Sequence, residues 1–166
     1  HPEYFNLNEI KSTINKQKIQ TKFGWTQKFV ILVPLSFRFY YIHNSPDRTL
    51  LSIIYNQFKS DDDIIILVRP HPGDKLTEKI LLEEYPSKNF HLSNESLIED
   101  IVLSDIVVTL PLGTVSTEAI IFQKPIIFPN IIQQNSLEID PIFKILIENN
   151  LAKLKNKEDF INEINS

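Results

Sequence analysis

Short apolar runs alternate with amphipathic stretches along most of the chain. Lys28–Pro34 (KFVILVP) and Ile64–Val68 are continuous β-branched and aliphatic runs, each stopping at or next to a proline. This is how a strand buried on both faces reads. Between them, Ser45-Pro46-Asp47 supplies an N-cap, a proline for the first helical position and an acid for the first turn. The spacing of Leu50, Leu51, Ile54 and Phe58 predicts a helix from Asp47 to about Lys59 with one apolar face. The same alternation predicts a helix Lys75–Tyr85 behind an Asp74 cap, a strand Asn89–Leu92, and a helix Ser96–Leu103 opened by the capping box Ser96-x-x-Glu99. Next come a strand Asp105–Leu110, a helix Val115–Gln123, a strand Pro125–Phe128 and a helix Pro141–Asn149 behind Asp140. A weak strand Leu151–Leu154 and a helix Lys157–Ile164 close the chain. Regular alternation of strand and helix predicts an α/β fold: a Rossmann-like open parallel sheet of about six strands, helices on both faces, joined by right-handed crossovers.

Residues 1–24 are more polar, with Ile10, Ile14 and Ile19 along one side, and read as a linker or peripheral helix; residues 25–166 read as the domain. At 166 residues and 19.3 kDa, one core is expected. With 42% hydrophobic and 23% charged residues the chain is globular in composition. No apolar run has the length of a membrane-spanning helix. The net charge of −4 argues against nonspecific nucleic-acid binding, which needs a dense basic field. Any anion must be held by a few placed groups. Without cysteine there are no disulfides, thiolate metal sites or cysteine nucleophiles. The absence of methionine, even at position 1, reads as a piece cut from a longer protein.

In an open parallel sheet ligands bind beyond the carboxyl ends of the strands. Of only three arginines, Arg38 and Arg69 fall just past the first two strands, which points to an anion site. His71 stands between Pro70 and Pro72, whose rings stiffen the backbone and present the imidazole in one direction. There it could donate to a phosphate oxygen or protonate a leaving group, or serve as a turn histidine. After the strand ending near Leu110 comes Pro111-Leu112-Gly113-Thr114-Val115-Ser116-Thr117-Glu118-Ala119. Gly113 permits close backbone approach, Thr114 can cap, and the following amides form a helix N-terminus suited to phosphate. Ser116 and Thr117 add hydroxyls, and Glu118 could accept from ribose hydroxyls. A routine strand-to-helix turn has the same composition. There is no Walker lysine, no G-x-G-x-x-G, no nucleophile elbow and no metal-ligand spacing among His43, His71 and His91.

In order, Val68-Arg69-Pro70-His71-Pro72, Leu103-Ser104-Asp105-Ile106-Val107-Val108-Thr109, Gly113-Thr114-Val115-Ser116-Thr117-Glu118-Ala119 and Gln123-Lys124-Pro125-Ile126-Ile127 resemble the carboxyl-terminal half of GT-B glycosyltransferases. The likeness covers roughly residues 25–130. It is greatest to CDP-glycerol glycerophosphotransferases, capsule Kdo-transferases and the similarly folded UDP-N-acetylglucosamine 2-epimerases. The opening His1-Pro2-Glu3-Tyr4, followed by Ile19–Gly24, is similar to the passage by which such enzymes enter their second half. The resemblance implies a domain that binds a nucleotide-activated donor, such as a CDP-, CMP- or UDP-linked sugar or glycerol, in cytoplasmic synthesis of a capsule or teichoic-acid-like polysaccharide. His71 would contact the donor phosphate as the catalytic group of this half; Arg69 would help neutralise it, and Arg38 matches a basic residue of some members. Gly113, Thr114 and the helix start through Val115, Ser116 and Thr117 would cradle the phosphates, and Glu118 would hold the ribose. No metal or other cofactor is implied. The partner is the missing acceptor-binding half, which carries the family's usual base and through which any peripheral membrane association would run. Leu112-Gly113 departs from the family's Ser-Ser or Ser-Gly and removes one hydroxyl donor. Two alternatives stay open: an epimerase half, although Ser116-Thr117-Glu118 lacks the paired glutamates of that turn, and a non-catalytic scaffold.

Overall fold

The computed structural model describes residues 14–36, 43, 45–110, 114–129, 147–148, 153–155, 159 and 162. In chain order they form α1 (Lys16–Phe23), β1 (Phe29–Pro34), α2 (Pro46–Phe58), β2 (Ile64–Arg69), α3 (Glu78–Glu84), β3 (Phe90–Leu92), α4 (Leu97–Leu103), β4 (Ile106–Val108), α5 (Thr114–Ile121), β5 (Ile126–Pro129) and β6 (Lys153–Lys155). The strands make one sheet of order β3-β2-β1-β4-β5-β6, every neighbouring pair parallel. The Rossmann-like α/β architecture expected from the alternation is the one observed.

β1 and β2 are buried on both faces because the sheet has two cores. Ile31, Val33, Ile64, Ile66 and Val68 point into one, closed by Leu50, Leu51, Ile54 and Phe58 of α2 and Leu81 of α3. Val30, Leu32, Ile65 and Leu67 point into the other, closed by Trp25, Ile101 and Leu103 of α4, and Ala119 and Phe122 at α5. Each such side chain contributes about 1.5–3 kcal/mol by leaving water. The chain builds outward from β1 to β3, then α4 carries it back to lay β4 beside β1. Right-handed crossovers in opposite directions put the helices on opposite faces. The order therefore switches between β1 and β4, the point at whose carboxyl edge open α/β sheets bind their ligands.

Polar groups secure this return. Asp105 Oδ2 accepts from the Val30 amide at 2.9 Å, and its other oxygen pairs with Lys16 of α1. Lys124 Nζ reaches the last carbonyls of α4, Val102 O at 2.9 Å and Ser104 O at 2.5 Å, as a cation at a helix carboxyl end should. α1 ends in a Schellman turn: Gly24, at φ 71°, lets Trp25 N donate to Gln20 O at 2.7 Å and drops the indole into the core. Ile19 packs against that core, and Lys22 pairs with Glu95 at 2.6 Å.

Most predicted elements match to within two or three residues, including the Ser45 cap and the Ser96–Glu99 capping box. The helix expected behind Asp74 begins later, at Glu78, and its cap is Thr77. Asp74 instead accepts from the amide of Leu76 two residues on, a turn that leaves the chain extended while the Leu76 side chain enters the core. Thr114 was expected to cap and is instead the first helical residue of α5. The final strand is observed as β6; the expected helices Pro141–Asn149 and Lys157–Ile164 fall largely outside the described residues.

Asp105→Ala should strand the buried Val30 amide and cost about 1–3 kcal/mol, whereas Asp105→Asn, which keeps an acceptor, should cost much less; urea denaturation of both reads the contrast. His91, on edge strand β3 against Trp25, has its pKa lowered, chiefly by burial. The unfolded chain takes this proton more readily than the native one. Stability from this group is thus full above about pH 6.5 and falls as pH drops below it. His91→Phe should remove that loss, so the variant should gain on the wild type between neutral and mildly acidic pH in thermal melts.

Candidate functional site

The residues singled out from the sequence separate into two groups once side chains are placed. The first stands at the carboxyl edge. His71 follows β2 by two positions and is exposed. Gly73 N donates to its Nδ1 at 3.1 Å, so that nitrogen is the acceptor and in the neutral ring the proton sits on Nε2. The proline-flanked turn thus selects a tautomer whose Nε2–H is a donor. α5 begins after β4, two strands from β2 across β1, on the same edge because all strands run parallel. Two strand spacings are about 10 Å, a span one nucleotide can bridge. Thr114 and Thr117 are exposed, Val115 packs into the second core, and Glu118 is half-buried. Ser116 is buried, and its Oγ has no hydrogen-bond partner among the described residues. The first turn of α5 therefore presents amides that no helical carbonyl can satisfy, with a buried hydroxyl beside them. Gly113 and Arg38 lie outside the described residues.

The second group is structural. Arg69 was expected to bind an anion, but its guanidinium turns into the protein. Nη1 donates to Asp100 of α4 and to Glu95 O at 2.9 Å, and lies 3.5 Å from Ser93 Oγ. Asp100 is fully buried, and Ser93 Oγ adds a bond to the same carboxylate oxygen at 2.5 Å. A buried carboxylate left without its cation would cost several kcal/mol, which is why Arg69 is spent on it. Burial still outweighs the Ser93 and Arg69 contacts and raises the Asp100 pKa above the ordinary carboxylate value. Ser104, Asp105 and Lys124, all within the motifs, likewise hold backbone.

A third feature escaped sequence reading. Asp47, in the first turn of α2, is buried; its Oδ2 accepts from Ser36 Oγ just past β1, and its Oδ1 from Ser36 N at 3.3 Å. Burial again dominates and raises its pKa. An acid in a first turn reads in sequence as a partner of the helix dipole, so nothing marked it as a staple for the chain at Ser36. Among the described residues no three His, Asp or Glu side chains gather as a metal site, and no helix is long and apolar enough to cross a membrane.

No protein-family model matches the chain, and no curated protein is significantly similar to it in sequence. Solved structures are similar in fold. The glycotransferase of kitacinnamycin superposes with a TM-score of 0.54 at 14% identity over 79% of this chain and 31% of its own length. A variant of the wall teichoic acid polymerase TagF gives 0.54 at 19% identity over 75% and 31%. WaaG, a glycosyltransferase involved in lipopolysaccharide biosynthesis, gives 0.54 at 14% identity over 90% and 40%. The chain thus spans about a third of the first two and 40% of the third. The likeness establishes the fold alone: a Rossmann-like α/β domain similar to a part of these larger chains.

Arg69→Ala should destabilise the fold by about 3–5 kcal/mol, because it leaves the Asp100 charge buried and alone. The deficit should shrink in acid, since a carboxyl whose folded pKa is raised keeps its stability at low pH and loses it as pH rises through that pKa. Chemical denaturation at neutral and acidic pH measures both. A merely ligand-binding arginine would leave stability unchanged.

Proposed function

We infer that this chain is the donor-nucleotide-binding half of a GT-B glycosyltransferase or glycerophosphotransferase that builds a surface polysaccharide. The observation that carries the reading is the start of α5 at the point where strand order switches, with the Ser116 hydroxyl in its first turn buried and without a partner among the described residues. Such a terminus favours a phosphate through its open amides and its dipole. His71 supports the reading by presenting an Nε2–H donor from the same edge. The polymer assignment draws on the names of structural neighbours, a teichoic acid polymerase and a lipopolysaccharide glycosyltransferase.

In this reading the donor phosphates lie against the first amides of α5 and the His71 imidazole, while Glu118 accepts from the ribose. Reaction breaks the bond between the donor's activated carbon or phosphorus and the nucleotide oxygen, and an acceptor oxygen takes its place. Negative charge grows on the departing phosphate, where prearranged N–H donors lower the barrier by several kcal/mol. The acceptor and the base that deprotonates it belong to the other half of the enzyme, so this half alone binds donor without turning it over. Arg69 is left out of the scheme, because its guanidinium is committed to Asp100.

Titrating the chain with CMP, CDP, UDP and their sugar conjugates, followed by amide NMR, tests the proposal. Millimolar nucleotide should shift residues 71–74 and 114–119, and His71→Ala should weaken binding about tenfold, the scale of one hydrogen bond to a charged group. Absence of any shift would leave a scaffold with a transferase fold.

A further inference from the structure

A cavity of about 270 Å³ opens on the second-core face beside edge strand β3, just below the range of drug-sized ligand pockets and so suited to a small ring. None of His71 or Thr114–Glu118 lines it, so it is separate from the strand-end site. Its walls are Phe23, Trp25, Leu67, His91 and Leu103. Phe23 stacks on Trp25 with centroids 4.8 Å apart, and His91 lies tilted at 4.8 Å from the indole, so the three rings form one contiguous aromatic wall. Asp100 also lines the cavity. Its Oδ2 carries both the Arg69 and Ser93 bonds, whereas its Oδ1 is buried with no hydrogen-bond partner among the described residues. An acceptor held in this condition by a fixed network is costly unless something donates to it.

The charges select the ligand. Glu78, Glu95 and Asp100 line the space with a single lysine, Lys22, which is paired with Glu95, and Arg69 behind Asp100 is already taken. An anion would meet carboxylates without a spare cation. A flat ring with apolar faces suits the leucine and aromatic walls, and an amino group on it suits the bare carboxylate oxygen. We propose that this cavity binds a small, uncharged or cationic amino-substituted heterocycle, whose N–H donates to Asp100 Oδ1 while its ring packs among Trp25, His91 and Leu103. The proposal does not depend on the donor-binding reading, since it uses other residues on another flank of the sheet.

The probe is 2-aminopyrimidine, titrated into the full chain at millimolar concentration with benzoate as an anionic ring of similar size, both followed by amide and indole NMR. Saturable shifts of the Trp25 indole N–H and of residues 91–103 with the aminopyrimidine, and none with benzoate, are expected. Asp100→Asn, which puts a donor where an acceptor stood, should weaken binding at least about tenfold. His91→Trp, which fills the cavity from the edge strand and leaves the Asp100 network in place, should abolish binding and guards against misfolding of the first variant. No shift with the aminopyrimidine, as when only water occupies the space, would overturn the assignment. So would equal response to benzoate, or shifts that survive both substitutions.

Discussion

The return of the chain from β3 to β4 is the constraint on which the rest of this structure depends. α4 must carry the backbone past two strands and set β4 against β1, and only that placement creates the switch in strand order. Apolar packing alone would tolerate a slipped β4, because its isoleucine and valines are nearly interchangeable. Directional bonds remove the ambiguity: Asp105 takes the Val30 amide of β1, and Lys124 closes the carboxyl end of α4. A one-residue slip would break these bonds and turn each side chain of β4 toward the opposite core.

This changes the meaning of the motifs. Ser104, Asp105 and Lys124 carry much of the resemblance to the transferases, yet their polar atoms are spent within the protein, on backbone and, for Asp105, also on Lys16. Arg69 is spent on a buried acid. Among the described residues of the motifs, His71 and the first turn of α5 stand at the carboxyl edge. Similarity carried by such residues reports a sheet that is wound in a particular way, and says less about the molecule that it holds.

The loops after β1 and β3 share a device. In each, a serine just beyond the strand, Ser36 or Ser93, donates to a buried acid in the first turn of the next helix, Asp47 or Asp100. Both acids have raised pKa values, chiefly from burial. Each pair ties a strand end to a helix start, so the functional edge rests on short polar links inside an otherwise apolar shell. At Asp100 the link is asymmetric, with two donors on one oxygen and, among the described residues, none on the other, which is the irregularity that marks the flank of β3 as more than packing.

Much of the architecture was legible along the chain because it depends on short-range physics. Two-faced strands show as unbroken aliphatic runs, and helix starts show as Ser45-Pro46-Asp47 and Ser96-x-x-Glu99, whose capping bonds reach only three residues. The later start of α3 was hidden, since Asp74 and Thr77 are both competent caps and burial of Leu76 decided between them. At the candidate site the sequence singled out His71, the turn into α5 and Arg69 alike, and did not reveal that Arg69 folds back onto Asp100. A guanidinium at a strand end can face solvent or fold back, and its choice depended on an acid thirty-one positions away. Such long-range pairings, the Asp105 clasp and the cavity beneath Trp25 among them, exist only once the sheet has closed and brought distant charges into one low-dielectric space.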